Sequence, residues 1–122
     1  MDAVAEYMAS SGLTESIVSA YKGFVARDGF KKIERNEFED MLMYFADNIE
    51  LYGDSIPIIT DGNSNFVCLY VGGKEAGSVW LLNHDEFDKS IIYENLDALF
   101  SDITHYEEAW DIKDLLDLRK DR

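Results

Sequence analysis

The sequence predicts an α+β domain: a mainly antiparallel sheet of four to six strands, with a central meander, packed by helices from both ends of the chain. Three observations predict it. Apolar runs at 56–60, 66–71 and 78–83 are separated by short turn-forming segments, as in an antiparallel meander. Flanking stretches repeat apolar residues at steps of three and four, the spacing of amphipathic helices. No linker, internal repeat or low-complexity tract interrupts the 122 residues, so a single domain over 1–122 is expected.

Taken in order, Val4, Tyr7 and Met8 suggest a short first helix that Ser10-Ser11-Gly12 interrupts. Thr14 suits an N-cap, with Glu15 in the first turn where the helix dipole favours acid. Ile17, Tyr21, Phe24 and Val25 then form a stripe, and Asp28-Gly29 is expected to end that helix in a left-handed cap. Asn36 and Glu39 have the spacing of a capping box. Beyond them Phe38, Met41, Leu42, Phe45 and Ile49 make one apolar face through Leu51, with Gly53 as the stop. This helix should lie across one face of the meander.

In the meander, Pro57 cannot donate to a ladder, which places its strand at an edge or puts Pro57 near the strand's start. Asp61-Gly62-Asn63-Ser64-Asn65 supplies a five-residue hairpin loop. Phe66 to Val71 is apolar on both alternating sets of side chains, so it reads as a central strand covered on both faces. Ser78 to Asn83 is the third strand, and Ser90 to Tyr93 suggests a further short one. Asn95 caps a helix with Leu96, Leu99, Phe100 and Ile103 inward. Asp111 caps a last helix carrying Ile112, Leu115 and Leu116, and Arg119, Lys120 and Arg122 complement its negative end.

The formal charge is −14, from 25 acids against 11 bases, which disfavours direct binding to nucleic acid or to an anionic membrane. Residues 85–122 hold 12 acids and 5 bases, so acidity is densest in the last third. An acidic surface of this kind is either a solvated exterior or a field that attracts a basic partner. The single cysteine, Cys68, excludes an intrachain disulfide and reads as a small buried hydrophobe. The acid-bearing start, MDAVAEYMASSG, does not resemble a secretory leader, and no apolar run has the length of a membrane span; a cytoplasmic protein is expected.

Chemistry-bearing motifs are few. His84-Asp85-Glu86 and His105-Tyr106-Glu107-Glu108 lack metal-site spacing, so no metal and no cofactor are expected. Cys68 lacks a basic neighbourhood, and neither Gly-x-Ser-x-Gly nor a phosphate-cradling glycine loop occurs, so no enzyme is expected. Asp61, Asn63, Asp85, Glu86 and Asp88 lie on loops beside the strands, where recognition residues concentrate. Lasting affinity needs apolar anchors, for which Phe87, Tyr93, Tyr106 and Trp110 are the candidates.

Several segments in order resemble the SUKH superfamily, which includes bacterial toxin-immunity proteins and a fungal cell-wall-assembly regulator. They are Tyr21-Lys22-Gly23-Phe24-Val25-Ala26-Arg27-Asp28-Gly29, Ile56-Pro57-Ile58-Ile59-Thr60-Asp61-Gly62-Asn63, Phe66-Val67-Cys68-Leu69, Gly77-Ser78-Val79-Trp80 with His84-Asp85, and the helix Leu96 to Ile103. The resemblance spans 14–103; Ser64-Asn65 departs from the Gly-Asp of many members. It implies an α+β fold with no shared catalytic set, and most often an immunity role. The expected function is an immunity protein that binds and neutralises a cognate toxin, basic in charge as a nuclease would be, through its acidic surface. The alternative is a regulatory adaptor of the same fold.

Overall fold

A computed structural model describes residues 2–120. The expected α+β architecture is present: ten elements, of which four strands form one antiparallel sheet. Helix α1 (Ala3–Ser10) starts from Asp2, whose Oδ1 accepts from the N–H groups of Val4 and Ala5 at 3.0 and 3.2 Å. Helix α2 (Glu15–Gly23) starts from Thr14, as expected, with Oγ1 accepting from Ile17 N–H. Strand β1 (Lys31–Lys32) follows, then α3 (Arg35–Asp47), the one-turn α4 (Ile49–Tyr52), and the strands β2 (Ser55–Thr60), β3 (Phe66–Tyr70) and β4 (Val79–Leu82). Helices α5 (Leu96–His105) and α6 (Ile112–Lys120) close the chain, and Arg122 lies outside the described residues.

The strands run in the order β1-β2-β3-β4. Strand β3 pairs Leu69 with Ile56 of β2 on one side and with Val79 of β4 on the other. Val67, Cys68 and Leu69 are fully buried, so the β3 run is covered on both faces, as its unbroken apolarity requires. Helix α3 packs on β2, α1 packs on α2 and α3, and α2 packs on α5. Pro57 tests the edge argument. Strand β2 lies inside the sheet, yet β1 covers only Ile59 and Thr60, and the ladder with β3 shifts register between Pro57 and Ile59. The proline therefore occupies the half of β2 that β1 does not reach.

Four local expectations fail, each for a physical reason. Helix α2 ends at Gly23, and Asp28-Gly29 forms the tip of a tight turn in which Arg27 and Phe30 exchange backbone hydrogen bonds of 3.1 and 2.9 Å. Val25, beyond the helix, is 83% exposed and leaves the stripe. Gly29 has φ +89°, and a Cβ there would come within 2.0 Å of the Trp110 carbonyl oxygen, so both backbone and space demand glycine. The capping box is absent: α3 begins at Arg35, which makes Asn36 a helical residue, and Glu39 instead lies 3.8 Å from Arg35. The apolar face of α3 does not continue through Leu51. Asn48 leaves helical geometry at φ −123°, ψ 42°, which rotates the following turn and turns Ile49 and Leu51 to solvent. Gly53, at φ +63°, does end that turn. Ser90 to Tyr93 forms no strand; Val79 and Tyr93 share one bridge, because only Ile92 and Tyr93 reach the β4 edge.

Candidate functional site

Two of the loop acids expected at a surface, Asp61 and Asp85, also hold the start of α6. Asp61 accepts four hydrogen bonds: through Oδ1 from the N–H groups of Asn63 and Asn65 at 2.7 and 3.3 Å, and through Oδ2 from Asn65 Nδ2 and Ile112 N–H at 2.8 and 3.1 Å. It closes the hairpin loop and caps α6 from across the molecule. Asp111 adds the expected local cap, accepting from Asp114 N–H at 2.8 Å, and its other oxygen accepts from Asn63 Nδ2 at 3.2 Å. Asp85 lies 3.1 Å from Lys113 Nζ and 3.1 Å from His84 Nε2. Its hydrogen bond and charge hold the Lys113 ammonium above its ordinary pKa. Asn65, which the sequence presents as one more turn residue, is buried and links these loops: its Oδ1 accepts from His84 N–H at 2.9 Å. Asp61, Asn63 and Asp85 are thus structural ties as well as surface groups.

The remaining loop candidates stand beside an aromatic ladder. The Phe45 and Tyr52 rings lie parallel, 5° apart with centroids at 4.1 Å, and Tyr52 faces Trp80 at 6.3 Å. Trp80 Nε1 donates to Ser55 Oγ at 3.1 Å, and Ser55 Oγ donates to the Tyr52 carbonyl at 2.7 Å, so the inner rings are pinned. Phe87 sets its ring at steep angles to both Tyr52 and Trp80, at 5.6 and 5.7 Å, and stays 47% exposed. Tyr44, 52% exposed, also packs on Tyr52, with ring centroids 5.6 Å apart. Burial, together with the Tyr44 hydroxyl, pushes the Tyr52 phenol up to about 12. The outcome is two exposed rings braced on buried ones.

Exposed acids lie near both rings in the chain. On α3, Asp40, Met43, Tyr44 and Asp47 are spaced to share one face and all are exposed. Glu86 and Asp88 flank Phe87 in the chain and are exposed. Asp88 Oδ1 accepts from Ser90 N–H and Oγ at 3.0 and 2.7 Å, which lowers its carboxyl pKa. The sequence carried two signals for this face. Met43 and Tyr44 fall off the apolar stripe of α3, and no Lys, Arg or His occurs from Asn36 to Gly73, a stretch with seven acids.

The other anchors divide. Tyr93 and Tyr106 are buried and cannot serve as surface anchors. Tyr93 donates to Asp102 at 2.9 Å, and Arg119, in the last turn of α6 as expected, also lies 3.6 Å from the same carboxylate. Trp110 is 79% exposed at the entrance to α6, away from the Phe87 ladder in sequence, and pairs with no other aromatic ring among the described residues. A groove of about 560 Å³ runs between α2 and α5, lined by apolar groups that include the stacked Phe24 and Phe100, with Glu107 its one carboxylate. Among the described residues no cluster of three His, Cys, Asp or Glu is placed to hold a metal ion, and no helix is long and apolar enough to cross a membrane. Cys68 is fully buried, and burial pushes its thiol well up.

Compared with protein families, curated proteins and solved structures, the chain matches none. Fold and site together define an α+β domain with two exposed aromatic rings braced on Tyr52 and exposed acids near each of them in the chain.

Proposed function

We propose that the protein is an immunity protein that neutralises a cognate toxin domain, a basic nuclease being the leading case, in the cytoplasm of the cell that carries both. The toxin docks on the face made by Tyr44 and Phe87 with Asp40, Asp47, Glu86 and Asp88. The observation that carries this reading is the pairing of exposed, braced aromatic rings with an acidic surround. Rigid aromatic anchors lose little side-chain freedom on binding, and a rim that excludes water concentrates affinity on them. A nuclease surface that holds phosphate is basic, so the rim carboxylates compete for it and the overall charge of −14 speeds encounter. The segmental resemblance to SUKH proteins supports the same role.

The test uses the partner toxin domain recovered by pull-down from the native host. Its association rate with this protein should fall steeply as ionic strength rises, and should drop further with Glu86→Gln and Asp88→Asn together. A rate that ignores both salt and these substitutions contradicts the proposal.

A further inference from the structure

The two most exposed large apolar side chains among the described residues, Val25 at 83% and Trp110 at 79%, stand at one place in the fold. Val25 lines the groove of about 560 Å³ between α2 and α5, together with Ala20, Phe24, Phe100 and Ile103. The Phe24 ring, just past α2, stacks on Phe100 of α5 with centroids 4.7 Å apart, which ties the two walls together. Trp110 adjoins the same groove through Arg27, another of its lining residues. Arg27 donates to the Ala109 carbonyl at 3.0 Å, and the Trp110 carbonyl lies against Gly29. A single exposed apolar side chain needs no explanation, but two of them beside an apolar groove make a contact surface.

A projecting ring and a groove side by side on one surface are what a two-fold pair requires. Across a two-fold axis, a residue that enters the neighbour's pocket has its own pocket filled in return. An indole suits that part, being large, rigid and mostly apolar. Charge agrees at the contact. The Arg27 guanidinium is met by the carbonyls of Ile103, Tyr106 and Ala109 and by no carboxylate among the described residues. Glu108, two residues before Trp110, is exposed, so an entering Trp110 brings a carboxylate to a groove that holds this cation. Residues 22–32, which supply part of one wall, carry four bases against one acid, so the overall charge of −14 opposes approach least on this side. We infer that the protein forms a two-fold dimer in which Trp110 of each copy enters the α2–α5 groove of the other, against Phe24, Val25 and Phe100. The pairing uses neither Tyr44 nor Phe87 and is independent of the docking face proposed above.

The test is analytical ultracentrifugation of the full chain from about 10 µM to 1 mM in about 0.5 M salt, which screens the repulsion between copies. The mass should rise with concentration from that of one chain toward that of two. Trp110 and the buried Trp80 are the only tryptophans, so the dimer should also show bluer emission and a quenching by acrylamide that is lower by roughly half. Trp110→Ala and Val25→Asp, both at exposed positions, should each weaken self-association at least tenfold, about 1.4 kcal/mol, while the melt of the monomer stays in place. A chain that remains monomeric at the highest concentration overturns the inference. Dimers that leave Trp110 as open to acrylamide as it is in the monomer, or that persist undiminished in both variants, also overturn it, because the contact would then lie elsewhere.

Discussion

Replacing Asp61 by alanine separates a structural tie from a contact residue. The Asp61 carboxylate accepts four hydrogen bonds, one of them from the first residue of α6. At about 0.5–1.5 kcal/mol net for each, and with Asp61 only partly exposed, Asp61→Ala should cost about 3 kcal/mol. For a chain of this length that loss corresponds to a fall in Tm of about 12 °C. Asp61→Asn should cost about half as much, since one oxygen survives while the amide turns a donor toward Ile112 N–H and Asn65 Nδ2. Urea unfolding followed by the fluorescence of the buried Trp80, in a Trp110→Phe background that removes the exposed indole, measures both. Partner association should hardly change once the loss of folded protein is allowed for. A cost below about 1 kcal/mol combined with markedly slower association would refute the reasoning and return Asp61 to the docking surface.

Three further outcomes follow from packing and burial. Gly29→Ala should destabilise the fold by on the order of 3 kcal/mol, because it combines a left-handed backbone with a clash against the Trp110 carbonyl; a thermal melt within 2–3 °C of wild type, about the size of a neutral surface change, would contradict this. Cys68 should resist a thiol reagent at pH 8 until the protein unfolds, being both fully buried and held protonated; labelling as fast in native buffer as in urea would show the β3 core to be open. Tyr52 has a folded pKa raised above its unfolded value of 10.0 to about 12, and burial raises Tyr21 and Tyr70 as well. Between those two values the unfolded state has released a proton that the folded state keeps, so this stabilisation is complete below pH 10 and is lost as pH rises toward 12. Chemical denaturation at pH 8 and pH 11 should show lower stability at the higher pH; a flat profile would contradict the burial of these phenols.

The meander was legible because its signals are local: an unbroken apolar run from Phe66, turn residues on either side, and Pro57. The caps at Thr14, Asn95 and Asp111 were legible for the same reason, each being a short side chain within three residues of the N–H it accepts from. One failure arose where a distant group decided the local structure. Gly29 turns the chain because the Trp110 carbonyl leaves no room for a side chain, and no spacing near residue 29 announces a partner eighty residues away. The face around Phe87 was half visible. Phe87, Glu86 and Asp88 stood out as a loop, but Tyr44 and Tyr52 belong to α3 and α4 and join them only in space. Asp61 and Asn63 are legible as loop residues, but which N–H groups the Asp61 carboxylate accepts from shows only in the structure.

The central claim is that a basic protein partner docks on the Phe87 face. The most direct test is the dissociation constant for the proposed toxin partner, recovered by pull-down from the native host, measured for wild type, Phe87→Ala and Trp110→Ala at one ionic strength. The account predicts at least a tenfold weakening for Phe87→Ala, about 1.4 kcal/mol or more, with Trp110→Ala close to wild type. Unchanged affinity for Phe87→Ala beside a large loss for Trp110→Ala would move the docking face to the entrance of α6 and contradict the account.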